Sequence, residues 1–156
     1  YNLPMMSIDI IFMGKKRVFV IEIIDPAGIA DENIKKHYDR MRGLKPQPVL
    51  LNDAPVTRWY KDIVTDFSIH SRLDRSADGL IFDTYKKYMD AYAAMVAEAQ
   101  PVSAEISRTL KEKQEWYAET LISQGGPAVD LLAKMMGSEK QREYTWTVMF
   151  GFDTEK

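Results

Sequence analysis

The sequence predicts an α+β fold in which helices pack on an antiparallel sheet, and three observations carry that reading. Two β-rich runs, residues 5–12 and 17–24, lie close together and are joined by Met13-Gly14-Lys15-Lys16, a loop of hairpin length that contains glycine. From Asp83 onward the apolar period changes from strand-like to helical. Strands come first and helices after, instead of alternating, which argues against a parallel sheet built from βαβ units.

Each element has its own justification. Met5 to Phe12 and Arg17 to Ile24 are rich in Ile, Val and Phe, side chains that suit a pleated surface, and Asp25-Pro26 ends the pair. Asp31 to Arg42 places Ile34, Tyr38 and Met41 on one helical face, with Gly43 as a stop. Leu44 to Pro55 holds three prolines and reads as surface loop. Residues 63–73 alternate polar with apolar over much of their length and predict another strand. Tyr85, Tyr88, Met89, Tyr92, Met95 and Val96 fall at helical spacing, with Asp83 as N-cap and Pro101 as stop. A further helix starts after Ser103, turns Ile106, Leu110, Tyr117 and Leu121 toward the core, and ends at Gly125-Gly126. Pro127 suits the first turn of the next helix, which Gly137 terminates. Ser138 and Gln141 have capping-box spacing for a last helical segment through Tyr144 and Val148.

Composition narrows the function classes. A chain of 156 residues with 46% apolar and 28% charged residues suits one globular domain over residues 1–156. No run approaches the roughly 18 to 20 apolar residues that cross a bilayer, and no secretory leader is visible, so a cytoplasmic protein is expected. The sequence opens Tyr1-Asn2-Leu3-Pro4 without an initiator Met and enters a strand pattern almost at once, so it reads as a fragment with residues upstream of it. With no cysteine, disulfides, thiolate nucleophiles and Cys-ligated iron–sulfur or zinc sites are excluded from this chain. His37 and His70 are far apart with no metal-ligand spacing around either, and neither a GxGxxG nor a GxxxxGK[ST] loop occurs. Any redox chemistry draws its electrons from outside the chain.

The net charge of −2 conceals a gradient. Residues 1–61 carry ten basic against seven acidic groups, and residues 62–156 carry eleven against sixteen. The basic groups gather at Lys15, Lys16 and Arg17 and at Lys35, Lys36, Arg40, Arg42 and Lys45. That excess is too small to mark a nucleic-acid surface; it is a solvated face or a docking patch for an acidic partner.

Two sets of polar residues stand out. Asp9 alternates with Met5, Ser7 and Ile11 on one face of its strand, while Met6, Ile8, Ile10 and Phe12 take the other. An aspartate in an apolar strand either faces solvent or serves as a proton donor whose pKa an apolar pocket raises. Asp66, Ser68, His70 and Arg72 share a face at period two, as a solvated surface or as a polar pocket wall in which Arg72 offers a planar fork to a carboxylate. The tyrosine and methionine stripe on the 83–98 helix is core, or a platform for a flat conjugated ligand.

Asn2-Leu3-Pro4-Met5-Met6-Ser7-Ile8-Asp9-Ile10, followed by the Val18–Ile24 strand and Asp25-Pro26, resembles the Leu-Pro-x-x-Gly-x-Asp strand and hairpin partner of ferredoxin-dependent bilin reductases. The Trp59 neighbourhood, the strand ending at Arg72 and the closing Val148-Met149-Phe150-Gly151-Phe152 are similar to family segments in the same order. The resemblance implies an α/β/α sandwich holding biliverdin between the sheet and the C-terminal helices. It implies no metal or flavin, with reduced ferredoxin as external donor docking on Lys15, Lys16, Lys35 and Lys36. Asp9 matches the family's catalytic aspartate, and Arg72 matches a basic position that holds a propionate, with Ser7 and His70 beside it as substrate-binding residues. Ser7 departs from the family's glycine, and Gly126-Pro127 stands where several members have an aspartate before the proline; Asp130 lies three residues further on and is not given that role. Loss of the second aspartate is similar to the phycocyanobilin-forming branch and its phage-borne relatives, in which a histidine upstream of the Leu-Pro segment partners the aspartate. The implied reaction is stepwise radical reduction of biliverdin to phycoerythrobilin, with phycocyanobilin as the next choice. A tetrapyrrole carrier, a chlorophyll-catabolite reductase and a plain interaction domain remain as alternatives.

Overall fold

The computed structural model describes residues 1–29, 31–46 and 59–153, and the chain divides into two compact units, Tyr1–Ser107 and Arg108–Lys156. The first unit is built on a three-stranded antiparallel sheet of β1 (Met5–Met13), β2 (Lys16–Ile24) and β3 (Ile69–Asp74), in that spatial order. Met13 pairs with Lys16, so the hairpin closes through Gly14 and Lys15 alone. Gly14 sits at φ +59°, the left-handed conformation that tight hairpin turns require and glycine adopts without strain. Strand β2 is central: Phe19 lies opposite Ile10 on β1 and opposite Ser71 on β3.

Alternation then sorts the side chains. Phe19, Ile21 and Ile23 of β2 and Ile69 and Leu73 of β3 point to one face, where they pack with Ile34 and Met41 of α1 (Glu32–Leu44) and Ile81, Tyr88, Ala91 and Met95 of α2 (Asp78–Glu98). Burial of each large apolar side chain contributes about 1.5 to 3 kcal/mol, which makes this face the source of the unit's stability. Asp31 caps α1 through Oδ1, accepting from the backbone N–H of Asn33 at 2.8 Å and Ile34 at 3.3 Å. Tyr88 and Met95 are fully buried, so the tyrosine and methionine stripe is core at these positions.

Boundaries differ from expectation where tertiary contacts intervene. Helix α1 runs through Gly43 to Leu44 and stops at Lys45, whose backbone is extended as the residue before a proline prefers. The predicted strand over 63–73 is regular only from Ile69 to Asp74; before it, Val64 makes one isolated bridge with Ile24 and Ser68 turns inward. Helix α2 begins at Asp78, ahead of the expected cap Asp83, because Asp78 is fixed by Arg17 of β2: Nε donates to Oδ1 at 2.7 Å and Nη2 to Oδ2 at 3.0 Å. The loop expected over 44–55 lies for the most part outside the described residues.

The chain passes to the second unit through α3 (Ala104–Gln124), whose first turn uses Ser103 Oγ to accept from Ile106 N–H at 3.3 Å. Helices α4 (Pro127–Met136) and α5 (Ser138–Tyr144) follow, and α5 continues as a π-helical turn over Thr145–Met149. Gly125, at φ +78°, ends α3 as the sequence predicts. Ser138 is not a cap: Gly137 occupies that position without a side-chain bond, and Gln141 instead donates to Thr145 Oγ1 at 2.9 Å. Tyr117 and Phe150 meet edge to face at 5.8 Å, and Arg142 holds Glu119 at 2.8 Å.

The buried Tyr88 hydroxyl donates to the carbonyl of Phe67 at 2.6 Å, tying α2 to the segment that leads into β3. Tyr88→Phe removes that donor without emptying the core, so it should lower unfolding stability by about 1 to 2 kcal/mol with little change in the denaturant slope. Urea titration followed by fluorescence measures both.

Candidate functional site

The sheet's second face carries polar chemistry. Ser7, Asp9 and Ile11 of β1, Val18, Val20 and Glu22 of β2, and His70 and Arg72 of β3 alternate with the core residues and therefore share this side. Asp9, Val20 and His70 are successive partners in one row; Ser7 pairs with Glu22 in the next row, and Ile11, Val18 and Arg72 form the row on the other side. Asp9 and His70 are thus two strand spacings apart, roughly 10 Å.

Neighbouring contacts fix the strands that present these groups. The Tyr92 hydroxyl of α2 donates to the carbonyl of Pro4 at 2.7 Å, and Asn2 Nδ2 donates to the carbonyl of Ile29 at 3.2 Å, so the Asn-Leu-Pro segment is anchored immediately before β1. The Tyr38 hydroxyl donates to Asp25 Oδ2 at 2.9 Å where β2 has ended, and burial followed by the Asp25 charge pushes that phenol's pKa up. Both strands are therefore anchored at the open end of the hairpin, where β1 begins opposite the end of β2.

All four residues singled out in the sequence, Asp9, Ser7, His70 and Arg72, lie on this face. Asp66 and Ser68 do not join them. Asp66 is an exposed turn residue held by Arg42 through Nε at 2.8 Å and Nη2 at 3.0 Å, and the Arg42 hydrogen bonds keep its carboxyl below the usual range. Ser68 is buried, where its Oγ accepts from the backbone N–H of Ile23 at 2.9 Å. Period two failed there because the strand does not extend that far.

Glu22 is the residue that sequence reading missed. Its Oε1 lies 2.8 Å from His70 Nε2, with the two side chains only 12% and 20% exposed, so the pair is largely withdrawn from solvent. The signal was available: Glu22 is the one acidic residue in the Arg17–Ile24 run, as Asp9 is in its own. Glu22 also lies diagonal to Asp9 across the β1–β2 pair, at a backbone separation of roughly 7 to 8 Å, which the physiological screening length of about 8 Å does not cancel. The Asp9 carboxyl is held above its ordinary value, first by loss of hydration and second by the Glu22 charge. A carboxylic acid that keeps its proton longer than usual, beside a carboxylate–imidazole pair, is equipped to donate a proton to a bound molecule.

The basic groups divide into two kinds. Lys16 pairs with Asp74 at 2.7 Å and Lys36 with Glu98 at 2.8 Å, both on the exposed surface, while Lys45 Nζ donates to the carbonyls of Asp66 and Ser68 at 3.1 and 2.7 Å. Arg17 is buried against Asp78, and its guanidinium lies 4.6 Å from the Phe12 ring centre. Lys15 and Lys35 are exposed on the hairpin turn and on α1. Asp130 accepts from the backbone N–H of Gly126 at 3.2 Å, a capping contact at the start of α4. Among the described residues no cluster of His, Asp and Glu has the arrangement of a metal site, and no helix is long and apolar enough to cross a membrane.

Comparison with known proteins bears on the family and the fold. The sequence pattern of the ferredoxin-dependent bilin reductases matches residues 1–151. The chain is 21% identical over 155 residues to the 15,16-dihydrobiliverdin:ferredoxin oxidoreductase of Gloeobacter violaceus, covering 96% of this chain and 63% of that protein. Its fold is similar to that of tomato phytochromobilin synthase, solved in complex with biliverdin, with a TM-score of 0.78 and 14% identity over 97% of this chain and 56% of that one. The chain thus spans less than two thirds of the length of either relative.

The raised Asp9 carboxyl has a consequence for stability. Between its ordinary value of 3.8 and its folded value, the folded state binds more proton than the unfolded state, so stability falls as pH rises through that window. Asp9→Asn should therefore be more stable than the parent at pH 7, with the difference disappearing below about pH 3.8. Thermal unfolding of both proteins across that pH range checks it.

Proposed function

The chain belongs to the ferredoxin-dependent bilin reductase family, and we propose that it supplies the proton-donating, substrate-holding part of an enzyme that reduces biliverdin with electrons from ferredoxin. The observation that carries this reading is the coincidence on one sheet face of an acid held above its usual pKa, a carboxylate–imidazole pair and an arginine. A flat conjugated ligand laid across Val18 and Val20 reaches Asp9 on one side and His70 on the other. Arg72, one row along and exposed, is placed to take a propionate through its planar fork, and Ser7 and His70 give further polar contacts.

Reduction then proceeds in one-electron steps. Each two-electron stage takes two electrons from reduced ferredoxin and two protons, the first electron making a bilin radical and the acid supplying a proton to it. Reduction of biliverdin to phycoerythrobilin consumes four of each. We favour that product because Gly126-Pro127 stands where a second donor aspartate would lie, and phycocyanobilin is the next choice. The tetrapyrrole carries the redox chemistry, and the protein contributes orientation and acidity. Ferredoxin, an acidic partner, docks through the exposed Lys15 and Lys35, with Lys16 and Lys36 joining once their exposed ion pairs are exchanged for the partner's carboxylates.

Two experiments test the reading. Under anaerobic conditions with biliverdin and reduced ferredoxin, Asp9→Asn should accept an electron but fail to protonate, so a bilin radical accumulates by electron paramagnetic resonance while product formation falls by roughly 10² to 10⁴. Near-normal product from a variant that binds biliverdin removes Asp9 from the role. With ferredoxin limiting, turnover of the parent should slow as salt rises, and charge reversal at Lys15 and Lys35 should raise the apparent ferredoxin constant without altering biliverdin affinity. A salt-independent rate removes the patch.

A further inference from the structure

We propose that Glu22 is a positioning residue that couples Asp9 to His70, so that the three side chains form one linked unit across the polar face of the sheet. The inference rests on the proposed reduction of a bilin at that face for its use, and on strand register, the Glu22–His70 contact and the charge of Glu22 for its existence. His70 belongs to the row of Asp9, two strands away and beyond direct hydrogen-bond reach. Glu22, on the strand between them and one row along, is a diagonal neighbour of both. It touches His70 at 2.8 Å and acts on Asp9 through its charge. Register lets a single carboxylate on β2 influence groups on both flanking strands.

The chemistry follows from where that charge sits. A carboxylate bonded to Nε2 holds the imidazole in one orientation and favours a proton on that nitrogen. The same negative charge opposes ionisation of Asp9, adding to the larger effect of lost hydration. Glu22 thus reaches both neighbours, orienting the His70 ring through the hydrogen bond and opposing loss of the Asp9 proton through its charge. The other charged groups on this face are Arg72 in the next row and the Lys16–Asp74 pair at the hairpin end. Lys16 and Asp74 neutralise one another at 2.7 Å, and both are exposed. Arg72 is a cation, whose charge favours the ionised form of a carboxyl, so it does not account for the raised Asp9 pKa.

Glu22→Gln tests the coupling because it keeps an oxygen for His70 and removes only the charge. In the chain without bilin, carboxyl carbon NMR should show Asp9 titrating at lower pH in Glu22→Gln than in the parent, and the imidazole nitrogen signals of His70 should change. In single-turnover reduction of biliverdin, the loss of the protonation step at high pH should move down by the same interval as the Asp9 titration. The rate at neutral pH should fall by less than the roughly 10²-fold that loss of the acid itself costs. Glu22→Ala, which also removes the hydrogen bond to His70, should shift the profile equally and lower the rate further. An Asp9 titration that stays in place in both variants overturns the proposal, as does a shift in Asp9 that the rate profile does not follow. If the parent never reduces biliverdin, the functional reading fails by itself, and the titration in the free chain still decides the coupling.

Discussion

Pairing of β2 on both of its edges governs what the first unit can do. A central strand has its backbone groups satisfied on either side, so its side chains divide strictly between two faces with no freedom to drift. Phe19, Ile21 and Ile23 go to the core with α1 and α2, and Val18, Val20 and Glu22 go to the opposite side as a geometric consequence. The apolar burial that stabilises the fold and the polar display that serves chemistry are therefore two faces of one strand. Neither can be changed in register without changing the other.

That division lets an unfavourable arrangement persist. Two carboxylates on adjacent strands, Glu22 largely withdrawn from water and Asp9 at the more exposed position, lie close enough for their charges to oppose each other. The cost is carried by the other face, where Phe19, Ile21, Ile23, Met41, Ile69, Tyr88 and Met95 are essentially inaccessible to solvent. Anchors outside the strands complete the frame: Tyr92 on Pro4, Tyr38 on Asp25, and Arg17 on Asp78 each join the hairpin or its ends to another residue through a side chain. Stability stored in one layer supports strained electrostatics in the other, the usual relation between a scaffold and its reactive groups.

Much of this was legible in the sequence, for identifiable reasons. The hairpin and the face of Asp9 could be read because strict alternation and a glycine turn leave one register open. The end of α3 at Gly125 and the start of α4 at Pro127 could be read because both residues have narrow backbone preferences. The start of α2 could not, because it depends on an arginine on β2 bonding to an aspartate 61 positions away. Asp66 and Ser68 were misplaced since a period-two pattern persists through a turn whose hydrogen bonds to Arg42 and Ile23 are invisible in one dimension. Glu22 was passed over because its strand looked like core, and only the pairing of β2 with β3 shows that His70 waits beside it.

The two-residue turn at Gly14 and Lys15 bears on how such a chain can diverge over evolutionary time. Side chains on either face tolerate exchange for others of similar size and polarity, and sequence identity to a relative can fall to 21% over nearly the whole chain. Length within the strands has less latitude than length within the turn. One residue gained or lost in β1 between Asp9 and the turn, with no bulge to absorb it, sends Asp9 toward the apolar layer and Ile8 and Ile10 toward the opposite face. What such a hairpin must keep through divergence is the odd or even spacing of Asp9 within β1 and of Glu22 within β2, because that parity, more than the identity of most side chains, decides which groups meet on the polar face.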